Sequence, residues 1–166
     1  MTSRPQGSGP ANATQDVARL GLVRPPLVFL TSLVTGALIQ LAKPLPFLPG
    51  TLAMPLGAAL VLIAIALFSS AVAKFRGAGT PVSARRPTTV IVRVGPYRYS
   101  RNLIYLAFSV FQLGIAIWAN SLWLVATLVG AVAVIQYVVI PREEEYLERK
   151  FGAEYLDYKR SIRRWL

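Results

Sequence analysis

Residues 102–141 run for forty positions without a single charged side chain, and no other feature limits the possible folds of this chain as strongly. Residues 25–42 and residues 44–73 are uncharged in the same way. The apolar residues therefore come in blocks, not in the stripes of helices that cover a water-soluble core. A hydrocarbon layer about 30 Å thick is crossed by roughly 20 helical residues, each rising about 1.5 Å. By that measure the first run holds one span, the second holds one with residues to spare, and the longest holds two. A soluble chain of 166 residues has too little interior to hide so many helices that are apolar all round. The expected fold is all-α: a polytopic transmembrane helical bundle of about four spans, at residues 27–42, 51–73, 101–118 and 122–140.

Proline, glycine and small polar residues punctuate these runs. Pro44, Pro46 and Pro49 preclude a continuous helix after Lys43, which makes a short outer connection. Pro55 is tolerable near the start of the second span, and Gly57 with its neighbouring alanines permits close helix approach. Residues 77–87 read as a loop and residues 88–94 as a short extended segment, after which Gly95-Pro96 turns the chain. Ser100 or Asn102 is placed to cap the third span. Ala119-Asn120-Ser121 makes a tight outer turn, flanked by Trp118 and Trp123 where amphipathic rings suit the headgroup boundary. Pro141 marks the exit from the last span.

The net charge of +11 raises the question of nucleic acid, but its placement answers a different one. Of the 18 basic residues, Lys43 alone falls on the side of the outer connections. An even number of spans with both termini in the cytosol puts the rest on the inner face, as the positive-inside bias requires. Charge here encodes topology and contact with anionic membrane lipids; no nucleic-acid motif accompanies it. The predicted location is a bacterial inner or plasma membrane. Residues 1–20, with Pro5, Gly7, Ser8, Gly9 and Pro10, read as a disordered lead-in without the pattern of a cleaved signal peptide, ahead of one domain at residues 21–166. Cysteine and histidine are both absent, which removes disulfides, thiolate chemistry and the commonest zinc ligand and neutral-pH base; no metal site is expected.

The tail, residues 141–166, is different in kind. Leu147, Phe151, Tyr155 and Tyr158 share one helical face, leaving Glu143, Glu144, Glu148, Arg149 and Lys159 free to face water. An amphipathic interfacial helix interrupted at Gly152 is the expectation, resting on the cytosolic ends of the spans.

Two polar runs bracket the long apolar hairpin. The first, residues 93–105, alternates arginines with Tyr97, Tyr99 and Tyr105 around Gly95-Pro96 and Asn102; the second, residues 142–165, carries Glu143, Glu144, Phe151-Gly152, Glu154-Tyr155, Tyr158 and Arg164. Taken alone they are compatible with headgroup anchoring and Arg–Glu pairing. Together they resemble the isoprenylcysteine carboxyl methyltransferase family, membrane enzymes that use S-adenosylmethionine and are related to phospholipid methyltransferases. Gly95, Pro96, Tyr97, Arg98, Arg101, Asn102 and Tyr105 match the first part of that family's pattern, and Glu143, Glu144, Leu147, Phe151, Gly152, Glu154, Tyr155, Tyr158 and Arg164 the second. Leu103 and Arg163 stand where the pattern usually has proline.

The resemblance implies a cofactor enclosed by the last two spans and the tail. On it, Gly95, Tyr97, Arg98, Asn102 and Tyr105 would bind S-adenosylmethionine from one side, and Glu143 and Glu144 from the other. No dinucleotide-type glycine fingerprint competes with this reading. Methyl transfer needs in-line positioning more than proton transfer, so an ionised carboxylate acceptor oriented by Arg101 or Arg164, with Tyr105 nearby, suits a site without histidine. The acceptor would be a lipophilic or amphiphilic small molecule entering from the lipid. A non-catalytic membrane partner protein and a transporter are the alternatives, the latter lacking a charge within a span.

Overall fold

In the computed structural model, which describes residues 24–77 and 95–166, helix boundaries follow the prolines and charges. Helix α1 is Pro25–Ala42, opened by proline at a position where its missing N–H costs nothing. Helix α2 is Gly50–Gly77 and contains Pro55 near its start. A 3₁₀ turn, Gly95–Arg98, leads into α3, Leu103–Trp118. Helix α4, Leu122–Val134, continues through a π turn, Ile135–Val139, into α5, Ile140–Phe151, and α6, Ala153–Ser161, follows. The expected lead-in at residues 1–20, the bulk of the 77–87 loop and the extended segment at 88–94 lie outside the described residues.

Pro25–Ala42, Gly50–Lys74 and the continuous helix Leu122–Phe151 are long and apolar enough to cross a membrane, and α3 is a shorter apolar helix beside them. The chain is a multi-pass integral membrane protein with an all-α fold. Leu27, Leu30, Val34, Leu38 and Leu41 line an exposed face of α1, a contiguous apolar surface that water would not tolerate and lipid does. Helix α2 lies along α3, and α1 along α4. The first pairing is close because glycines stand at the contact. A Cβ on Gly57 would sit 2.4 Å from the Trp118 nitrogen, and one on Gly114 would sit 2.9 Å from that of Val61.

At one end, the 43–49 connection and the 119–121 turn are stitched together. Asn120 adopts φ 47°, and its Oδ1 accepts from the Phe47 and Leu48 amides at 3.0 and 2.9 Å. Its Nδ2 donates to the Leu48 carbonyl at 2.8 Å. The Trp123 indole donates to the Lys43 carbonyl at 2.8 Å, so this ring secures the connection. Ser121 caps α4 by accepting from the Leu124 amide.

Two sequence-based expectations need correction at the other end. Asn102 is the N-cap residue of α3 but its side chain makes no capping bond; it is engaged elsewhere, as described below. Pro141, expected at the exit from the last span, sits inside a continuing helix. The π turn immediately before it widens the backbone where the ring would otherwise strike the preceding turn, and the helix continues to Phe151. The tail's apolar face is not continuous either. Gly152, at φ 55°, breaks the helix where expected, but Tyr146, Tyr155 and Tyr158 are buried while Leu147 and Phe151 are only half-buried.

Candidate functional site

The π turn decides which acidic residues point inward. Along α4 the buried positions are Leu124, Leu128, Ala131 and Ile135, and an unbroken α-helix would next present residues near 138 and 142. The extra residue in the π turn delays this face by about one position, so Val139, Ile140 and Glu144 are buried and Arg142 is exposed. Thirty residues of helix from Leu122 to Phe151 rise about 45 Å, longer than a hydrocarbon core of about 30 Å.

Glu144, 6% exposed, is the hub of this end. Its Oε1 accepts from Arg101 Nη1 at 3.0 Å and Arg164 Nε at 3.1 Å. Its Oε2 accepts from Arg164 Nη2 at 2.9 Å and lies 3.4 Å from Lys159 Nζ. Lys159 also pairs with Glu148. Burial pushes the Glu144 carboxyl upward, but the Arg164 hydrogen bonds and the charges of Arg101, Arg164 and Lys159 outweigh it and hold the group below the usual carboxylate range. The placement of Glu144 on a water-facing side is thus overturned, whereas Lys159 reaches it with about a third of its side chain, 35%, still exposed. A buried carboxylate is stable only with such partners, and they come from three separate segments.

Glu143, half-buried, accepts from the Tyr105 hydroxyl at 2.5 Å. Burial pushes its carboxyl up to about 7, with the Tyr105 hydrogen bond opposing and the Glu144 charge adding to the rise. Adjacent carboxylates therefore differ: Glu144 is held ionised and Glu143 titrates near neutrality.

The segment after α6 folds back across this cluster. The Arg101 amide donates to the Arg163 carbonyl at 3.1 Å, and Asn102 Nδ2 donates to the Arg164 carbonyl at 2.9 Å. The Trp165 indole donates to Gln136 Oε1 in the π turn at 2.7 Å. Among the sequence-predicted site residues, the structure thus brings together Arg101, Asn102, Tyr105, Glu143, Glu144 and Arg164. Gly95, Tyr97 and Arg98 lie to the α2 side. Gly95, at φ 64°, faces the Lys74 side chain; Tyr97 is buried with Ala71 and Leu103 and its carbonyl accepts from Tyr158; Arg98 is exposed.

Sequence reasoning missed Lys159 as a partner of Glu144, and the Gln136–Trp165 pair. A signal for the latter was present. Gln136 is a polar residue within an apolar run, where an unpaired amide is costly.

The donor set fits S-adenosylmethionine. Glu143, with only one oxygen engaged by Tyr105, offers an acceptor for ribose hydroxyls or an ammonium, and the guanidinium groups offer donors for a carboxylate. Among the described residues no cluster of three or more acidic, histidine or cysteine side chains is disposed to hold a metal ion.

Residues 52–154 match the model of the phospholipid methyltransferase family, a stretch that runs from α2 into α6. An uncharacterized protein of Haemophilus influenzae is 45% identical over 65 residues, which is 38% of this chain and the whole of that protein. No solved structure matches the chain.

Proposed function

The chain belongs to the phospholipid methyltransferase family, and on that footing we propose that it methylates an amphiphilic carboxylate at the cytosolic face of a bacterial inner or plasma membrane. The family carries S-adenosylmethionine-dependent methyl transfer to a membrane-associated acceptor. The finer reading rests on one observation: two polar runs on either side of the long apolar hairpin meet around Glu144 at one end of the bundle. The bound cofactor supplies an electrophilic methyl group on a sulfonium.

The residues of this chain bind and orient. Glu143 and Glu144 form one wall, Asn102 and Tyr105 the other, and Gly95, Tyr97 and Arg98 flank it on the α2 side. Arg101 and Arg164 provide the positive field that draws in an acceptor carboxylate. Such an acceptor arrives ionised, so no proton has to be removed before attack, and alignment supplies most of the rate. The hydrophobic part of the acceptor stays in the lipid against the exposed faces of the spans. Four spans, with α3 as the short third one and both termini cytosolic, put this end inside. Consistent with that, the 43–49 and 119–121 connections share the opposite end. The second polar run lies on the amphipathic tail, whose aromatic residues pack against the bundle at the interface.

Calorimetric titration of detergent-purified protein with S-adenosylmethionine tests the site. Saturable binding is expected, weakened about threefold to tenfold by Glu143→Gln, one hydrogen bond being worth about 0.5–1.5 kcal/mol. A well-folded parent that does not bind overturns the proposal. Reporter fusions within residues 44–49 and after Trp165 are expected on opposite sides of the membrane; a shared side removes the four-span topology.

A further inference from the structure

The segment after α6 engages the side chains that the functional reading assigns to the cofactor. The Asn102 amide group is bonded to the Arg164 carbonyl, and Glu144 receives both the Nε and Nη2 donors of Arg164. Both interactions depend on residues 163–165 being held flat across the ends of α3 and α5. Arg163 is exposed, and its carbonyl bond to the Arg101 amide involves no side chain of its own. The one side-chain anchor beyond Arg164 is Trp165. Its ring packs against the buried cluster that includes Ile135 and Ile140, and its N–H is aimed at Gln136 Oε1 at 2.7 Å.

Gln136 lies within the π turn. A polar side chain in that position on an otherwise apolar helix needs a partner, and a directional bond across 29 positions of chain supplies one. The same turn that brings Glu144 inward thus also presents the acceptor that fixes the returning segment over it.

Resting on the methyltransferase reading, we infer that Trp165 and Gln136 form a positioning pair: their hydrogen bond clamps residues 163–165 over the site and so fixes Asn102 and Glu144 in their binding geometry. Neither residue is among those assigned to the cofactor. The pair acts through Arg164.

The effect is read in two ways. In calorimetric titrations with S-adenosylmethionine, Trp165→Phe keeps the ring and removes the N–H, and Gln136→Leu removes the acceptor; each is expected to weaken binding about threefold to tenfold, as for one uncharged hydrogen bond. The double variant is expected to be no weaker than either single one, and Gln136→Glu, which keeps an acceptor, to restore most of the affinity. In an Asn102→Ala background Trp165→Phe should cost less affinity than it does in the parent, because only the route through Glu144 remains, whereas a residue that merely stabilises the fold would add its full loss. The second reading needs no cofactor. With Trp118→Phe and Trp123→Phe leaving Trp165 as the single indole, Glu144→Gln should shift its emission to longer wavelength and increase quenching by acrylamide, because releasing Arg164 releases the clamp. Unchanged emission, or additive losses of affinity, would overturn the inference. If the parent binds no S-adenosylmethionine, the functional reading falls, and the emission alone then decides whether the clamp exists.

Discussion

Replacing Glu144 with glutamine keeps the shape of the side chain and removes the charge on which three cations converge. Arg101 is the partner that matters most for stability: its side chain is 10% exposed and that of Glu144 8%. Arg164 and Lys159 are 32% and 35% exposed, so water screens part of what they contribute. Removing one member of a buried ion pair costs about 3–5 kcal/mol, because the other charge stays buried without compensation. The partial exposure of two partners puts the expected loss at the lower end, about 3 kcal/mol. For a chain of this size each kcal/mol lowers the melting temperature by about 2–4 °C, so Glu144→Gln should melt roughly 6–12 °C below the parent in the same detergent. Glu145→Gln is the control. Its partner Arg149 is 53% exposed and Glu145 itself 67%, and such a surface pair contributes little; its melting temperature should stay within error of the parent. Equal shifts for the two variants would refute the idea that Glu144 is the hub that ties α3, α6 and the returning segment together.

Two further outcomes follow from the same structure. Glu143 has a carboxyl raised from 4.5 to about 7, so the fold favours its protonated form; its contribution is complete below about pH 4.5 and is lost as pH rises through 7. Glu144 is lowered and works in the opposite sense, failing only as pH falls below 4.5; the melting temperature should therefore decline between pH 5.5 and 8 in the parent and stay level in Glu143→Gln. Gly57→Ala places a Cβ 2.4 Å from the Trp118 backbone, which cannot rotate away, so α2 and α3 must part at a cost of about 1–3 kcal/mol. Urea titration in mild detergent measures that cost, with Gly130→Ala, where nothing lies within 4 Å, expected to be neutral.

The membrane-spanning architecture was legible in the sequence because it depends on local quantities. Uncharged length fixes where helices can lie in lipid, and prolines and small polar residues fix where they stop. The close approach at Gly57 and the break at Gly152 were legible for the same reason, since each depends on one residue lacking a side chain. The two polar runs were also visible, though not that Arg101 and Arg164 would meet on Glu144. The shared end of the bundle followed from the tightness of the 119–121 turn, which forces the helices it joins to run side by side.

Which way the acidic residues point was decided only in three dimensions. A helical wheel assumes a constant 3.6-residue period, and the π turn before Pro141 breaks that period by about one residue, moving Glu144 from an apparent water-facing position into a buried one. Its neutralisation then required Arg101, Lys159 and Arg164, which are 43, 15 and 20 positions away along the chain and have no local reason to meet. Asn102 shows the same division. Its place at the start of α3 was set by sequence, but the use of its side chain was set by a carbonyl 62 residues later, because a polar group takes the strongest partner that the fold brings within reach and not the nearest one in the chain.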